Sequence, residues 1–279
     1  LDVQTDRAWM TGKYTLTLRV PGSNLPVGTL QINLEDFVPN RIKTDVGING
    51  TQWLVREEQP ITVKAENLFG GPATDRKASA DVILRKGTLE VPNFKGFSFT
   101  NDTDYLPEVL PLGEAQTDDK GVASFKFTWQ GSPKVSFPLK AVVRGEVSEL
   151  GGRAVADTKE VTLLATNKLL GVNVAKGSNA NAVEVNVAAV GPDGAPAQVP
   201  TVKIVLERED WSYYVRRYAS YNEPKFTKSY LTVESKELPV TNGRASIAFN
   251  LPEYSFGYFR VRVTSSATQM VATQAFYKE

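Results

Sequence analysis

Any chemistry in this chain has to come from carboxylates, lysines and hydroxyls, because its 279 residues include no cysteine and no histidine. That removes the thiol nucleophile, the cysteine metal site, the disulfide, and the commonest general base and metal ligand. Neither a Ser-His-Asp nor a Cys-His site can be assembled. Glu57-Glu58 and the pair Glu207 and Glu209 remain as acid/base candidates. A glycosidase-type reaction would need two such groups flanking the scissile bond; carboxylates paired on strand edges are ordinary. Asp102, Asp104, Asp118 and Asp119 offer the oxygens that calcium takes. Their spacing follows no loop pattern, and Asp118-Asp119-Lys120-Gly121 is explained by turn chemistry, with glycine supplying a positive φ. The residues predict a protein that is not an enzyme and that carries no cofactor or metal.

The stretch Trp211-Ser212-Tyr213-Tyr214-Val215-Arg216-Arg217-Tyr218 invites a functional reading. Aromatics beside arginines stack on ligands and partners. Arg and Lys bonds together with Pro224 also resemble an accessible proteinase substrate. Trp211, Tyr213, Tyr214, Arg216, Arg217, Tyr218, Lys225 and Lys228 are therefore the candidate site, an exposed bait or partner loop. A plainer reading, and the one the residues favour, is a long exposed hairpin whose aromatics cover a sheet face.

The elements that would carry these residues are strands. Alternation with period two recurs along the chain and helical periodicity is nearly absent. Tyr14-Thr15-Leu16-Thr17-Leu18-Arg19-Val20 and Thr29-Leu30-Gln31-Ile32-Asn33-Leu34 form a hairpin across Pro21-Gly22-Ser23-Asn24. Further strands are predicted at 42–46, 61–65, 78–84, 122–129, 137–145, 159–164, 170–174, 182–190, 202–207, 230–234, 244–250, 258–264 and 269–277. Residues 88–114, rich in Pro, Asn, Asp and aromatics, read as a long excursion with a short strand inside. Turn signals every 8 to 15 residues or so are what an all-β sandwich shows. Trp53, Trp129, Phe125, Phe127 and Phe137 read as core or interface residues.

The chain balances 32 basic against 31 acidic residues for a net +1, so no overall field recruits nucleic acid or an anionic surface. No run approaches the roughly 20 apolar residues of a membrane helix. No basic-then-apolar leader opens the chain, and Leu1-Asp2-Val3 reads as mid-protein sequence, the start of a fragment or mature segment. A proline-marked junction at Pro39 and another near Ala165 divide the chain into 1–39, the end strands of a preceding domain, and two sandwiches at 40–164 and 165–279.

Several stretches carry a family resemblance. Asp36-Phe37-Val38-Pro39-Asn40-Arg41-Ile42-Lys43 resembles the boundary between successive macroglobulin domains of bacterial alpha-macroglobulins. Asn67-Leu68-Phe69-Gly70-Gly71-Pro72-Ala73 resembles a motif of the following domain, with Asn67 and Gly71 as departures. Thr117-Asp118-Asp119-Lys120-Gly121, Gly151-Gly152-Arg153-Ala154-Val155, Val190-Gly191-Pro192-Asp193-Gly194, Trp211 and Gly257-Tyr258-Phe259-Arg260-Val261 fall in the family's order. The resemblance implies consecutive macroglobulin (fibronectin-like) antiparallel β-sandwich domains. It further implies a periplasmic, often lipid-anchored trap for a broad range of proteinases, sprung by cleavage of a bait segment that can lie in another domain. On this reading the fragment is scaffold, its partners are target proteinases and other envelope proteins, and any lipidated, inner-membrane-anchored terminus lies outside it. The family's Cys-…-Glu-Gln thioester cannot be built from a chain without cysteine. An adhesion or binding module, meeting a protein partner through the aromatic loop at 211–230, is the rival expectation.

Overall fold

The structure, a computed structural model, describes residues 6, 9–22, 25–34, 40–179, 181–217, 222–253 and 255–279. Its chain divides into two units, Leu1–Arg41 and Ile42–Glu279. In the first, β1 (Gly12–Arg19) pairs antiparallel with β2 (Pro26–Leu34), with Tyr14 opposite Ile32 and Leu16 opposite Leu30. Leu18, Val27 and Leu30 stay exposed, and an isolated two-stranded hairpin is marginal in water. The junction expected at Pro39 lies outside the described residues.

The second unit holds two sandwiches and no helix among the described residues. The first is built from β3 (Ile42–Ile48), β4 (Gln52–Leu54), β5 (Gln59–Asn67), β6 (Lys77–Lys86), β7 (Glu108–Gln116), β8 (Val122–Phe127), β9 (Leu139–Ser148) and β10 (Ala154–Leu164). A five-stranded sheet, β4-β10-β9-β6-β7, faces a three-stranded one, β3-β5-β8. Alternate residues point inward, so Val46, Ile61, Val63, Val82, Leu84 and Phe125 fill the space between the sheets. Trp53, Trp129, Phe127 and Phe137 join this core, as expected of them.

The second sandwich follows with β11 (Leu169–Lys176), β12 (Ala182–Val190), β13 (Thr201–Arg217), β14 (Asn222–Pro239), β15 (Arg244–Asn250), β16 (Gly257–Ser265) and β17 (Thr268–Lys278). Its sheets are β11-β12-β15 and β14-β13-β16-β17. Val185, Val187, Ile204, Leu206, Phe249 and Phe259 form its core.

The excursion differs from its expectation. Residues 108–116 are strand β7, which lies at the sheet edge and so tolerates Pro111. The remaining stretch holds no strand; only Ser98 makes a bridge, and its partner is Val172 in the other sandwich. Ser98 N donates to Val172 O at 2.8 Å, Val172 N to Ser98 O at 3.0 Å, and Thr273 N to Thr100 O at 2.8 Å. The excursion lacks alternation because its aromatics serve a third core. Val91, Phe94, Phe99 and Leu164 of the first sandwich meet Leu169, Ala188, Val190 and Met270 of the second there. Both ends of the connection, Leu164 and Leu169, are buried in this shared cluster. The seam is apolar, hydrogen-bonded and closely packed, so the connection near Ala165 is not a loose linker.

Candidate functional site

Strand β13 pairs with β14 along its whole length, but with β16 only from Lys203 to Arg208. Beyond that point the two strands continue as a ribbon of their own, reaching about 30 Å at ~3.3 Å per residue. Trp, Tyr, Val, Phe and Thr, which fit a pleated surface, make up much of it. The predicted strands at 202–207 and 230–234 are only its root, since the tyrosine-rich segment between them is strand too.

A bulge falls at that root. Leu206 opposes Glu234 and Glu207 opposes Thr232, which leaves Val233 unmatched. Past it, Glu209, Trp211, Tyr213 and Val215 share one face with Tyr230, Lys228 and Phe226 across the strand pair. Trp211 is 58%, Tyr213 61% and Phe226 66% exposed. Tyr213 and Phe226 lie with ring centroids 5.2 Å apart. Between 209 and 213 the opposite face carries Asp210, Ser212, Thr227 and Ser229, so this stretch of the ribbon is aromatic on one side and polar on the other. Trp211, Tyr213 and Phe226 thus face outward and do not cover a sheet.

A charged network fixes the root on the aromatic side. Glu207 is only 4% exposed. Arg260, opposite it on β16, donates Nε to Glu207 Oε2 at 2.5 Å, and Arg262 donates NH2 to Oε1 at 3.0 Å. The Arg260 guanidinium lies over the Tyr230 ring at 3.2 Å and also binds Asp102, which the excursion supplies from the first sandwich. The Tyr230 hydroxyl bonds Asp102 as well. Burial pushes the Asp102 carboxyl up, but the Arg260 charge and these hydrogen bonds outweigh it and leave it below the usual carboxylate range. Burial likewise opposes the charge on Arg260, and its bonds to Glu207 and Asp102 overcome that and hold it raised. One step outward, Lys228 Nζ meets Glu209 Oε2 at 2.5 Å and Trp211 Nε1 donates to Glu209 Oε1 at 2.6 Å.

This geometry gives Asp102, Glu207, Glu209, Glu58 and Asp118 structural work. Glu207 and Glu209 each face cations, and Glu58 pairs with Lys126 at 2.8 Å. Asp118 caps its own turn, accepting from Lys120 N at 2.8 Å and Val122 N at 2.9 Å. Among the described residues no group of three or more acidic side chains converges on a metal position. Of the candidate loop, Trp211, Tyr213 and Lys228 gather on the aromatic face, and Lys225, half-buried, falls on the opposite face. Tyr214, Arg216 and Arg217 stand opposite Lys225, Glu223 and Asn222 in the ladder, and Tyr218 lies outside the described residues. Sequence reasoning gives Arg260, Arg262 and Tyr230 no individual site role. Asp102 and Glu207 had been singled out for other roles. Nothing in a single sequence announces a contact spanning 158 residues, such as that of Asp102 with Arg260.

Two successive antiparallel sandwiches joined by a packed seam, the second carrying an overlong hairpin, define a multidomain β scaffold. Residues 40–164 match the family described as the bacterial alpha-2-macroglobulin MG5 domain, and residues 171–279 match bacterial macroglobulin domain 6. The chain belongs to the bacterial alpha-macroglobulin family. An alpha-2-macroglobulin of Xylella fastidiosa is 26% identical over 279 residues, covering 95% of this chain and 16% of the relative. The chain thus spans about a sixth of that relative's length. The native conformation of E. coli alpha-2-macroglobulin superposes with a TM-score of 0.67 at 20% identity, over 98% of this chain and 18% of the other. The E. coli protein activated by porcine elastase gives 0.65 at 21% identity, over 96% and 24%. These likenesses establish the all-β fold of consecutive macroglobulin sandwiches.

Proposed function

We propose that this chain is a non-catalytic scaffold segment of a proteinase trap, with residues 1–39 as the closing strands of a preceding macroglobulin domain. Its partners would be proteinases, its compartment the periplasm, and any lipid anchor would lie on a terminus outside it. The observation that carries the reading is the consecutive match to domains 5 and 6 of one family, on a body in which the acid pair Glu207 and Glu209 is held in ion pairs. The structure of a related protein activated by porcine elastase supports proteinases as the class of target. The bonds after Arg216, Arg217, Lys225 and Lys228 lie on the ribbon that leaves its sheet. A proteinase binds substrate as an added strand, and β13 beyond Arg208 has an edge that β16 does not cover.

Limited digestion of the full-length protein with trypsin tests this, read together with small-angle scattering. First cuts within 211–228 followed by compaction are expected. Cuts elsewhere with no change of shape would sink the trap reading for this ribbon.

A second reading, recognition of a protein partner such as another envelope protein, is favoured by the outward Trp211, Tyr213 and Phe226. Binding that survives proteinase-free conditions and is lost in Trp211→Ser with Tyr213→Ser would select it.

A further inference from the structure

The ribbon's root and the seam between the sandwiches share one side chain. Arg260 holds Glu207 on β13, lies over Tyr230 on β14 and binds Asp102 on the excursion. Asp102 is flanked by residues of the seam itself. Asn101 Nδ2 reaches Ser136 Oγ at 2.9 Å and Val271 O at 3.3 Å, and Thr100 O accepts from Thr273 N at 2.8 Å. On the other side, Lys228 Nζ lies over the Tyr230 ring at 5.2 Å and meets Glu209 Oε2 at 2.5 Å, and Glu209 bonds Trp211. Contact therefore runs unbroken from an exposed ribbon aromatic to the backbone ladder that joins the two sandwiches.

We infer that Arg260 is a positioning residue that fixes the ribbon against the first sandwich and couples the state of the ribbon to the seam. Three properties make it suited to this. Its guanidinium is planar and forked, so it can serve Glu207 and Asp102 together only in one orientation over the Tyr230 ring. Glu207 is buried, so the root cannot shift without leaving a carboxylate short of its partner. Asp102 sits on a segment without regular secondary structure, whose hold on the second sandwich includes the Ser98 bridge, the Thr100 and Asn101 bonds, the Asn173 bond to Gly96 O and the third core. A disturbance at Tyr230 thus reaches the excursion before it reaches either sandwich core. The inference deepens the proposed role of the ribbon, adding how its engagement would be felt at the domain boundary. By reciprocity, loosening the seam would in turn free the ribbon.

Native-state hydrogen exchange on the whole chain tests the coupling without any proteinase, so its outcome stands apart from whether the ribbon is ever cut. The seam reporters are the amides of Ser98, Val172 and Thr273; the controls are Val63 and Val143 in the first core. Tyr230→Ala should speed exchange at the seam amides by about tenfold and leave the controls unchanged. Tyr230→Phe keeps the ring and removes the hydroxyl, and should give a smaller change in the same amides. Combining Tyr230→Ala with Asp102→Asn should add little to either change alone, because both break one chain of contacts. Seam amides at wild-type rates in Tyr230→Ala, or full additivity in the double variant, would overturn the coupling. Ser212→Ala, on the polar face, should leave the seam unaltered; an equal effect there would also overturn it.

Discussion

The Phe99 ring of the first sandwich stands directly over Gly171 of the second, where a Cβ would lie 2.6 Å from Cε1. Only a residue without a side chain lets the two approach, and the Ser98 to Val172 bridge beside them depends on that approach. Gly171→Ala should therefore destabilise the chain by about 1–3 kcal/mol through overpacking. Phe99→Ala should cost about 3–5 kcal/mol by opening a cavity. The decisive measurement is the double variant in denaturant unfolding. With the ring removed, the alanine at 171 should cost nearly nothing, and purely additive losses would contradict the packing described.

Glu207 offers a second test, at the ribbon root. Its side chain is nearly inaccessible and faces Arg260 and Arg262. Glu207→Ala leaves these guanidinium groups without their buried partner and should cost about 3–5 kcal/mol. Arg262, being half-exposed, should matter less, with Arg262→Ala costing about 1 kcal/mol or less. Urea unfolding of the two variants checks the order, and equal losses would mean that the network is not centred on Arg260.

Much of the fold was legible because strands alternate and turns have their own chemistry. The inward rows Val82-Leu84 and Val185-Val187 and the turn Asp118-Asp119-Lys120-Gly121 follow from the residues themselves, and Gly121 does have φ +75°. The seam was not legible. Phe94, Phe97 and Phe99 sit in a stretch without alternation because they pack between domains, not within a sheet. The ribbon was half legible. Its aromatic content marked it as special, but the expectation that its rings cover a sheet rested on the usual fate of large apolar groups, whereas β13 outruns the strand that would carry such a sheet. The short strand β4, running parallel to β10, gave no signal because three residues are too few for a period to show.

Tyr105 gives a pH-dependent signature. Burial, followed by the nearby Glu108 carboxylate that accepts its hydroxyl at 3.3 Å, raises its phenol from 10.0 to about 12. A raised value means that the fold favours the protonated form, so this contribution is complete below pH 10 and disappears as pH climbs through about 12. Tyr105→Phe keeps the edge-on contact with Phe137 but has no proton to lose. Its stability should fall less steeply than wild type across that window. Phenolate absorbance should show a late-titrating component in wild type that is absent from the variant, and identical curves would refute the assignment.

The outward aromatics should be nearly silent in stability and decisive in binding or cleavage. Trp211 lies mostly in solvent, so Trp211→Ser should change unfolding free energy by no more than about 0.5 kcal/mol. Phe226→Ser also removes the cross-strand contact with Tyr213 and should cost about 0.2–1 kcal/mol. Denaturant midpoints measure both. A loss above about 2 kcal/mol for either would mean that these rings are buried against a sheet after all. If stability is unchanged while trypsin cuts of the ribbon or partner capture are altered, the same rings act at the surface and not in the fold.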